Sequence, residues 1–161
     1  SKQDSEKFNT LYEKALKKYK AYISTYIKEN KKSFSIRHGL TLSPTRCDMT
    51  ALCFCNHVME IEDALKKIKT HHDSIKEIEI ELLKTYNMNI IFEEDAIDFL
   101  IEQFIKHNAT IQEISSKIYD NYYDGFNLIR EKTGRNRFFL TKNALIDNEA
   151  YLNDLIRKEI K

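Results

Sequence analysis

The sequence predicts a mainly α-helical (α+β) fold, in which a bundle-like arrangement of helices is accompanied by one or two short β-strands or a small hairpin. Only three glycines and one proline, Pro44, interrupt the 161 residues, so helix-breaking residues are rare. Apolar residues recur three and four residues apart through most of the chain, as on one face of a helix. With 42% hydrophobic residues, the chain has enough apolar surface to form one domain spanning residues 1–161.

The first predicted element is a helix of about 25 residues that carries apolar residues at helical spacing from Phe8 onwards. Its four tyrosines, at positions 12, 19, 22 and 26, fall on this apolar side. We expect them to be packed with their hydroxyl groups at the rim. The alternative is a platform on which nucleic-acid bases stack.

The segment from Ser33 to Thr45 lacks helical spacing, because its apolar residues alternate around Gly39 and it contains Pro44. It predicts a short hairpin or an extended loop. Residues 33–46 are the best candidate for a division within the domain. A short helix is then predicted through Val58, with Asp48 or Thr50 as its N-cap.

Two helices are predicted next, separated by a polar break at residues 70–73, where His71 and His72 would lie in a solvated loop. The second of these helices ends at Asn87.

The remaining elements are predicted from local signals. Residues 93–95 supply the negative first turn of a helix, and Thr110 with Glu113 forms a capping box for the next one. Two runs are β-prone, residues 88–92 and 138–141, and a final helix starts at about Asn148.

The charge distribution is uneven although the net charge is only +1. Residues 1–46 contain eleven Lys and Arg against four Asp and Glu, whereas residues 60–102 contain five against twelve. A lysine-rich solvated face, or attraction between the two halves, accounts for this pattern; nucleic-acid binding is the alternative.

The sequence also bears on where the protein is located. No apolar run is long enough to span a membrane, and no signal peptide opens the chain. Three cysteines, an odd number, suit a reducing compartment, so we expect a cytoplasmic protein.

Soft metal-ligating residue types cluster only at Cys47, Cys53, Cys55 and His57. Structural zinc sites usually have ligand pairs two to four residues apart on turns, and this spacing inside an apolar run departs from that pattern. We therefore expect buried cysteines that act as small apolar side chains, with a zinc site as the alternative.

A second candidate site lies between Asn121 and Thr141, which contains Gly125 and Gly134 and four basic residues. None of the glycines fits a phosphate-binding loop, so we expect no nucleotide hydrolysis by this chain. The two glycines are predicted to be turns between helix and strand. The basic residues would form an exposed rim that receives a phosphate or an acidic partner, at Arg130, Lys132, Arg135 and Arg137.

The sequence from Asn89 to Leu100, NIIFEEDAIDFL, resembles the beginning of the C-terminal small domain, or lid, of AAA+ ATPases of the ClpX and HslU type. The similarity continues in order through a further helix and a second strand, and it covers residues 75–161. It implies a domain that packs on a nucleotide-binding domain and transmits its nucleotide state. ATP and magnesium would be bound only through a longer parent protein.

In that family a Gly-Ala-Arg element places the sensor-two arginine at the nucleotide phosphates. The resemblance implies that Gly125 corresponds to the glycine of this element, but Asn127 stands at the position of the arginine. Arg130 lies one helical turn later and is the candidate replacement. The tentative nucleotide-proximal or partner-binding residues are therefore Gly125, Asn127, Arg130, Lys132, Arg135 and Arg137.

The expected function is thus that of a non-catalytic domain, whose partner is a nucleotide-binding domain of the same or another protein. Two other functions remain open at this point: a nucleic-acid-binding helical module, and an adaptor that binds proteins without a ligand.

Overall fold

The computed structural model describes residues 1–57 and 59–160, and it divides into two compact units, of which the first comprises Ser1–Thr70 and the second begins at His71. The described residues form eight helices and two short strands, which confirms the predicted mainly α fold. The helices and strands are α1 (Lys2–Glu29), α2 (Lys31–His38), α3 (Pro44–Asn56), α4 (Ile61–Tyr86), β1 (Ile90–Phe92), α5 (Glu94–His107), α6 (Ile111–Thr133), β2 (Phe138–Leu140), α7 (Lys142–Ile146) and α8 (Asn148–Glu159).

In the first unit, the C-terminal half of α1 packs on α3. Ile23 and Ile27 are buried there, and the Ser24 hydroxyl donates a hydrogen bond to the Asp48 carboxylate. Lys28 Nζ lies 3.0 Å from the same carboxylate. Desolvation raises the pKa of Asp48, but the hydrogen bonds from Ser24 and Lys28 outweigh it and hold this pKa below its ordinary value.

The tyrosines of α1 differ from the prediction. All four are exposed, by 43% to 68% of their surface, because α3 covers only the edge of the apolar face that contains Ile23 and Ile27. The helix is therefore amphipathic as predicted, but its apolar face is only partly packed. Tyr19 and Tyr26 have ring centres 6.2 Å from those of Phe54 and Phe34, whereas Tyr12 and Tyr22 are 59% and 68% exposed.

The predicted hairpin at 33–45 is wrong, and the alternative of a loop holds only for residues 39–43. Residues 31–38 form α2, which ends at Gly39 in the left-handed conformation (φ 59°), and the Ser43 hydroxyl caps α3 by accepting from the Arg46 N–H at 3.1 Å. Neither Asp48 nor Thr50 is the cap, since both lie within α3. Pro44 begins α3 because its fixed φ suits the first helical position. Residues 33–46 lie inside the first unit, and Val58 lies outside the described residues.

The predicted break at residues 70–73 is also wrong, because α4 is one continuous helix. Its buried positions, Leu65, Ile68, Ile75, Ile78 and Leu82, keep helical spacing across the polar residues. The His71 ring stacks on Phe104 at 5.2 Å, so it does not lie in a solvated loop. Helix α4 ends as predicted at Asn87, which adopts the left-handed conformation (φ 53°).

The second unit contains a two-stranded parallel sheet, in which Ile90 pairs with Phe138 and Phe92 with Leu140. The pairing is parallel, so it is not the predicted alternative of a small hairpin. Each outer edge of the pair is engaged by a side chain: the Phe92 N–H donates to Glu79 Oε1 at 2.9 Å, and the Tyr151 hydroxyl donates to the Phe139 carbonyl. These contacts occupy backbone groups to which another strand would bind.

The helices of the second unit follow the predicted signals. Helix α5 begins with the predicted acidic residues in its first turn, and α6 begins with the predicted capping box of Thr110 and Glu113. Ile114, Ile118 and Tyr122 are buried on one face of α6, and the Tyr122 hydroxyl donates to the Ala144 carbonyl at 2.6 Å. This bond fixes α7 against α6.

Candidate functional site

The predicted basic rim lies at the C-terminal end of α6, where Gly134 terminates the helix in the left-handed conformation (φ 77°). Gly134 is therefore the predicted turn. The four basic residues of the rim do not form one exposed surface, because two of them are used within the second unit.

Arg130 is partly buried and forms contacts with the protein itself. Its Nη1 donates to the Asn87 carbonyl at 3.1 Å, and its Nη2 donates to Asn127 Oδ1 at 2.6 Å. The first bond satisfies a carbonyl at the end of α4. Asn127 thus orients Arg130.

Arg135 also has a structural role, contrary to the prediction that it belongs to an exposed rim. Its Nε donates to the Arg137 carbonyl at 3.0 Å, and its guanidinium pairs with the Glu159 carboxylate of α8. The guanidinium carbon also lies 5.2 Å from the centre of the Phe138 ring. Arg135 therefore links α8 to the segment that leads into β2.

Lys132 and Arg137 remain exposed, as the rim prediction requires. The Arg137 guanidinium lies 5.6 Å from the centre of the Phe139 ring, which is itself exposed. Leu128, on α6, is exposed as well. We call Lys132, Arg137 and Phe139 the α6–β2 patch. It offers the Arg137 cation beside one aromatic ring, with the exposed Lys132 in the last turn of α6, and arginine is among the residues that most often dominate protein interfaces.

Gly125 is not a turn, because it lies in the interior of α6. A Cβ atom at this position would lie 2.6 Å from both terminal methyl carbons of Leu152, on α8. The glycine therefore permits α8 to approach α6 closely, which is a packing role.

We expect Gly125→Ala to lower the free energy of unfolding by about 1 kcal/mol. Alanine gains roughly 1 kcal/mol in helix propensity, but displacing Leu152 loses about 1–3 kcal/mol. In a Leu152→Ala background the clash is absent, so the same change should stabilise the protein. Urea unfolding followed by circular dichroism measures both effects, and the same sign in both backgrounds would contradict the packing role.

The cysteine cluster does not converge on a common point. Cys47 and Cys53 are fully buried in α3, Cys55 is partly buried, and His57 is exposed at the helix end. Among residues 1–57 and 59–160, no group of three or more His, Cys, Asp or Glu side chains is placed to hold a metal ion. Burial raises the pKa of all three thiols, so each is less reactive than an ordinary cysteine.

Thiol labelling should distinguish the three cysteines. We expect a thiol reagent to modify Cys55 first in the native protein, because it alone is partly exposed, and to reach Cys47 and Cys53 only as denaturant unfolds the first unit. A Cys55→Ser variant serves as the control and should show little native labelling. Fast labelling of either remaining thiol in that variant would contradict the burial of Cys47 and Cys53 in α3.

A cleft that the sequence did not predict lies between α5, α6 and α7, with a volume of about 350 Å³. Its apolar wall includes Phe99, Ile114 and Ile118, and the polar side chains at it include Gln103, Glu113, Lys117 and Asn121. Glu113, Lys117 and Asn121 recur every four residues on α6, so they form one row beside the buried face. Such a cleft can accept an apolar group with a polar end. Its only sequence signal is this polar row adjoining apolar positions.

Within the described part of the chain, no helix combines the length and the apolar character required to cross a membrane. Comparison of the chain with protein-family profiles, with curated proteins and with solved structures finds no match.

Proposed function

We propose that this chain is a non-catalytic helical domain of an AAA+ ATPase, which packs on a nucleotide-binding domain and transmits its nucleotide state. The observation that carries the proposal is the position of the second compact unit. It begins at His71, and the resemblance to the lid domain begins at residue 75. The similar segment is thus a structural unit in its own right.

The order of elements also supports the proposal. Strand β1 leads into α5, α6 follows with its glycine, and β2 comes next, as the resemblance implies. The parallel pairing of β1 with β2 brings the two β-prone runs of the similar segment together. The chain has no glycine-rich phosphate loop, so the proposed role is to respond to nucleotide held by another domain.

The α6–β2 patch is the proposed contact surface, since Arg130 and Arg135 are engaged elsewhere. Lys132 and Arg137 can pair with acidic groups, while Phe139 supplies apolar area. The same observations disfavour a nucleic-acid-binding rim, because two exposed cations neutralise few phosphates.

The test is calorimetric titration of this chain with the nucleotide-binding domain of its parent protein, loaded with ADP or with a non-hydrolysable ATP analogue. We expect binding whose dissociation constant differs by about tenfold or more between the two states, equivalent to about 1.4 kcal/mol of coupling. The isolated chain should show no ATP turnover. Absence of binding in both states, or equal binding in both, would contradict the proposal.

A matched pair of variants localises the contact. Lys132→Ala with Arg137→Ala should weaken docking about tenfold. Lys84→Ala with Arg157→Ala removes one lysine and one arginine that are also exposed but lie outside the patch, so it should leave docking unchanged. Equal effects of the two pairs would assign the contact to another surface.

A further inference from the structure

The exposed apolar face of α1 has the spacing of a coiled-coil seam. Six of its residues are separated alternately by four and three positions, which places them at the a and d positions of three heptads. These residues, which we call the α1 seam, are Phe8, Tyr12, Ala15, Tyr19, Tyr22 and Tyr26. All six are exposed, the five aromatic ones by 43% to 68%.

The second half of α1 is held in place while the seam stays exposed. Ile23 and Ile27 are buried, and Asp48 on α3 binds both Ser24 and Lys28. These contacts lie on a different side of the helix from Tyr22, which is 68% exposed. Two seam residues, Tyr19 and Tyr26, have ring centres 6.2 Å from those of Phe54 and Phe34, and they remain 49% and 43% exposed. The seam is therefore presented by a helix that is already formed and is anchored through its C-terminal part, which reduces the entropy lost on binding.

A row of lysines runs along one border of the seam. Lys7, Lys14 and Lys18 fall within an arc of about 40° at 100° per residue, on the side where Leu11 adjoins the seam. All three are exposed, and none forms an ion pair with another described residue. Helix α1 as a whole contains seven lysines and four acidic residues.

We propose that the α1 seam binds an acidic amphipathic helix of a partner protein. Leucine-like side chains of that helix pack between the seam residues, and its carboxylates lie along the lysine row. The four tyrosines strengthen the match, since each hydroxyl can donate to a carboxylate at the border of the interface. The proposal concerns the first unit and is independent of the proposed role of the second.

Two other occupants fit the seam less well. A second copy of this chain would bring two helices with the same excess of lysine together, so their charges would repel. A membrane surface favours deeply apolar side chains on such a helix, whereas four of the six seam residues carry a hydroxyl group.

The experiment uses a designed helical peptide of about four heptads, with leucine at a and d, glutamate at e and g, and one tryptophan. Repulsion among its glutamates keeps it from pairing with itself, and this chain contains no tryptophan, so the peptide's fluorescence reports binding. A second peptide with lysine at e and g is the charge control. We expect the glutamate peptide to bind at least about tenfold more tightly, with an affinity that falls as salt rises.

Variants of the whole chain separate the seam from the rest of the helix. Tyr12→Ser with Tyr22→Ser should weaken binding at least about tenfold, whereas Gln3→Ser with Ala21→Ser, on the opposite face of α1, should not change it. Circular dichroism checks that both pairs retain their helix content. Charge reversal by Lys7→Glu, Lys14→Glu and Lys18→Glu should transfer the preference to the lysine peptide.

Several results would overturn the proposal. These are equal binding of both peptides, no binding of either, loss of binding in the Gln3/Ala21 variant, or no change of preference on charge reversal. Dimerisation of the chain that disappears in the Tyr12/Tyr22 variant would assign the seam to a second copy. Binding to vesicles containing anionic lipid, with no binding to the glutamate peptide, would assign it to a membrane surface.

Discussion

Replacing Phe138 with alanine should lower the free energy of unfolding by about 3–5 kcal/mol, as is typical of a large core side chain. Phe138 is 1% exposed and stacks on Phe126 of α6, with ring centres 3.9 Å apart and planes within 3°. Its loss opens a cavity where β2, α6 and the Arg135 guanidinium meet. Since domains are stable by only about 5–15 kcal/mol, this change removes a large part of the total.

The neighbouring residue provides a matched control. Phe139 has the same side chain but is 40% exposed, so Phe139→Ala should change the free energy of unfolding by less than about 1 kcal/mol. Because side chains alternate across a strand, a shift of one residue in the pairing of β1 with β2 would exchange the two phenylalanines. Urea unfolding followed by far-ultraviolet circular dichroism compares the variants. A larger effect at Phe139 would mean that the register is wrong.

In the second unit, the sequence predicts those helix starts correctly whose signals lie close together along the chain and persist in the folded structure. The capping box at Thr110 and the acidic turn before α5 act within one or two helical turns, so their meaning does not depend on distant residues. The β-prone runs were also correct, but the sequence offers no signal for their parallel pairing, which depends on how α5 and α6 pack.

The errors arose where context overrides a local pattern. The polar residues His71 and His72 predict a break, yet the apolar spacing from Ile68 to Ile75 continues through them. Pro44 predicts an interruption, although the first turn of a helix accepts proline. Apolar alternation near Gly39 suggested a hairpin, but α2 is only eight residues long, too short to establish a helical period.

The candidate sites were harder to predict than the elements. The sequence identifies Arg130 and Arg135 as cations, but only the folded chain shows that Asn87 and Glu159 engage them. The cleft between α5, α6 and α7 depends on tertiary packing in the same way. The residues of the α1 seam, by contrast, are recognisable in the sequence because they are separated alternately by four and three positions. The structure shows in addition that these residues are exposed.

The second large effect is expected at Arg46, whose side chain is 1% exposed and is among the largest fully buried ones. Its Nη1 donates to the Thr41 carbonyl at 2.9 Å, so the guanidinium holds the loop of residues 39–43, between α2 and α3, against α3. Arg46→Ala removes this bond and leaves a cavity where the aliphatic stem packed. We expect a loss of about 3–5 kcal/mol in the free energy of unfolding, measured by urea titration.

Two further variants divide this loss into its parts. Arg46→Met keeps most of the aliphatic stem but not the charge. Its loss in the free energy of unfolding should therefore be smaller than that of Arg46→Ala, and the difference should be about 1–2 kcal/mol. Arg37→Ala is the matched control, because Arg37 pairs with Glu62 at 2.7 Å while 54% of its side chain is exposed. Exposed pairs contribute at most about 1 kcal/mol, so this variant should remain near the wild type. If Arg46→Ala were as mild as Arg37→Ala, the Arg46 side chain would not be buried in the protein in solution, and the packing of α3 in the first unit would need to be revised.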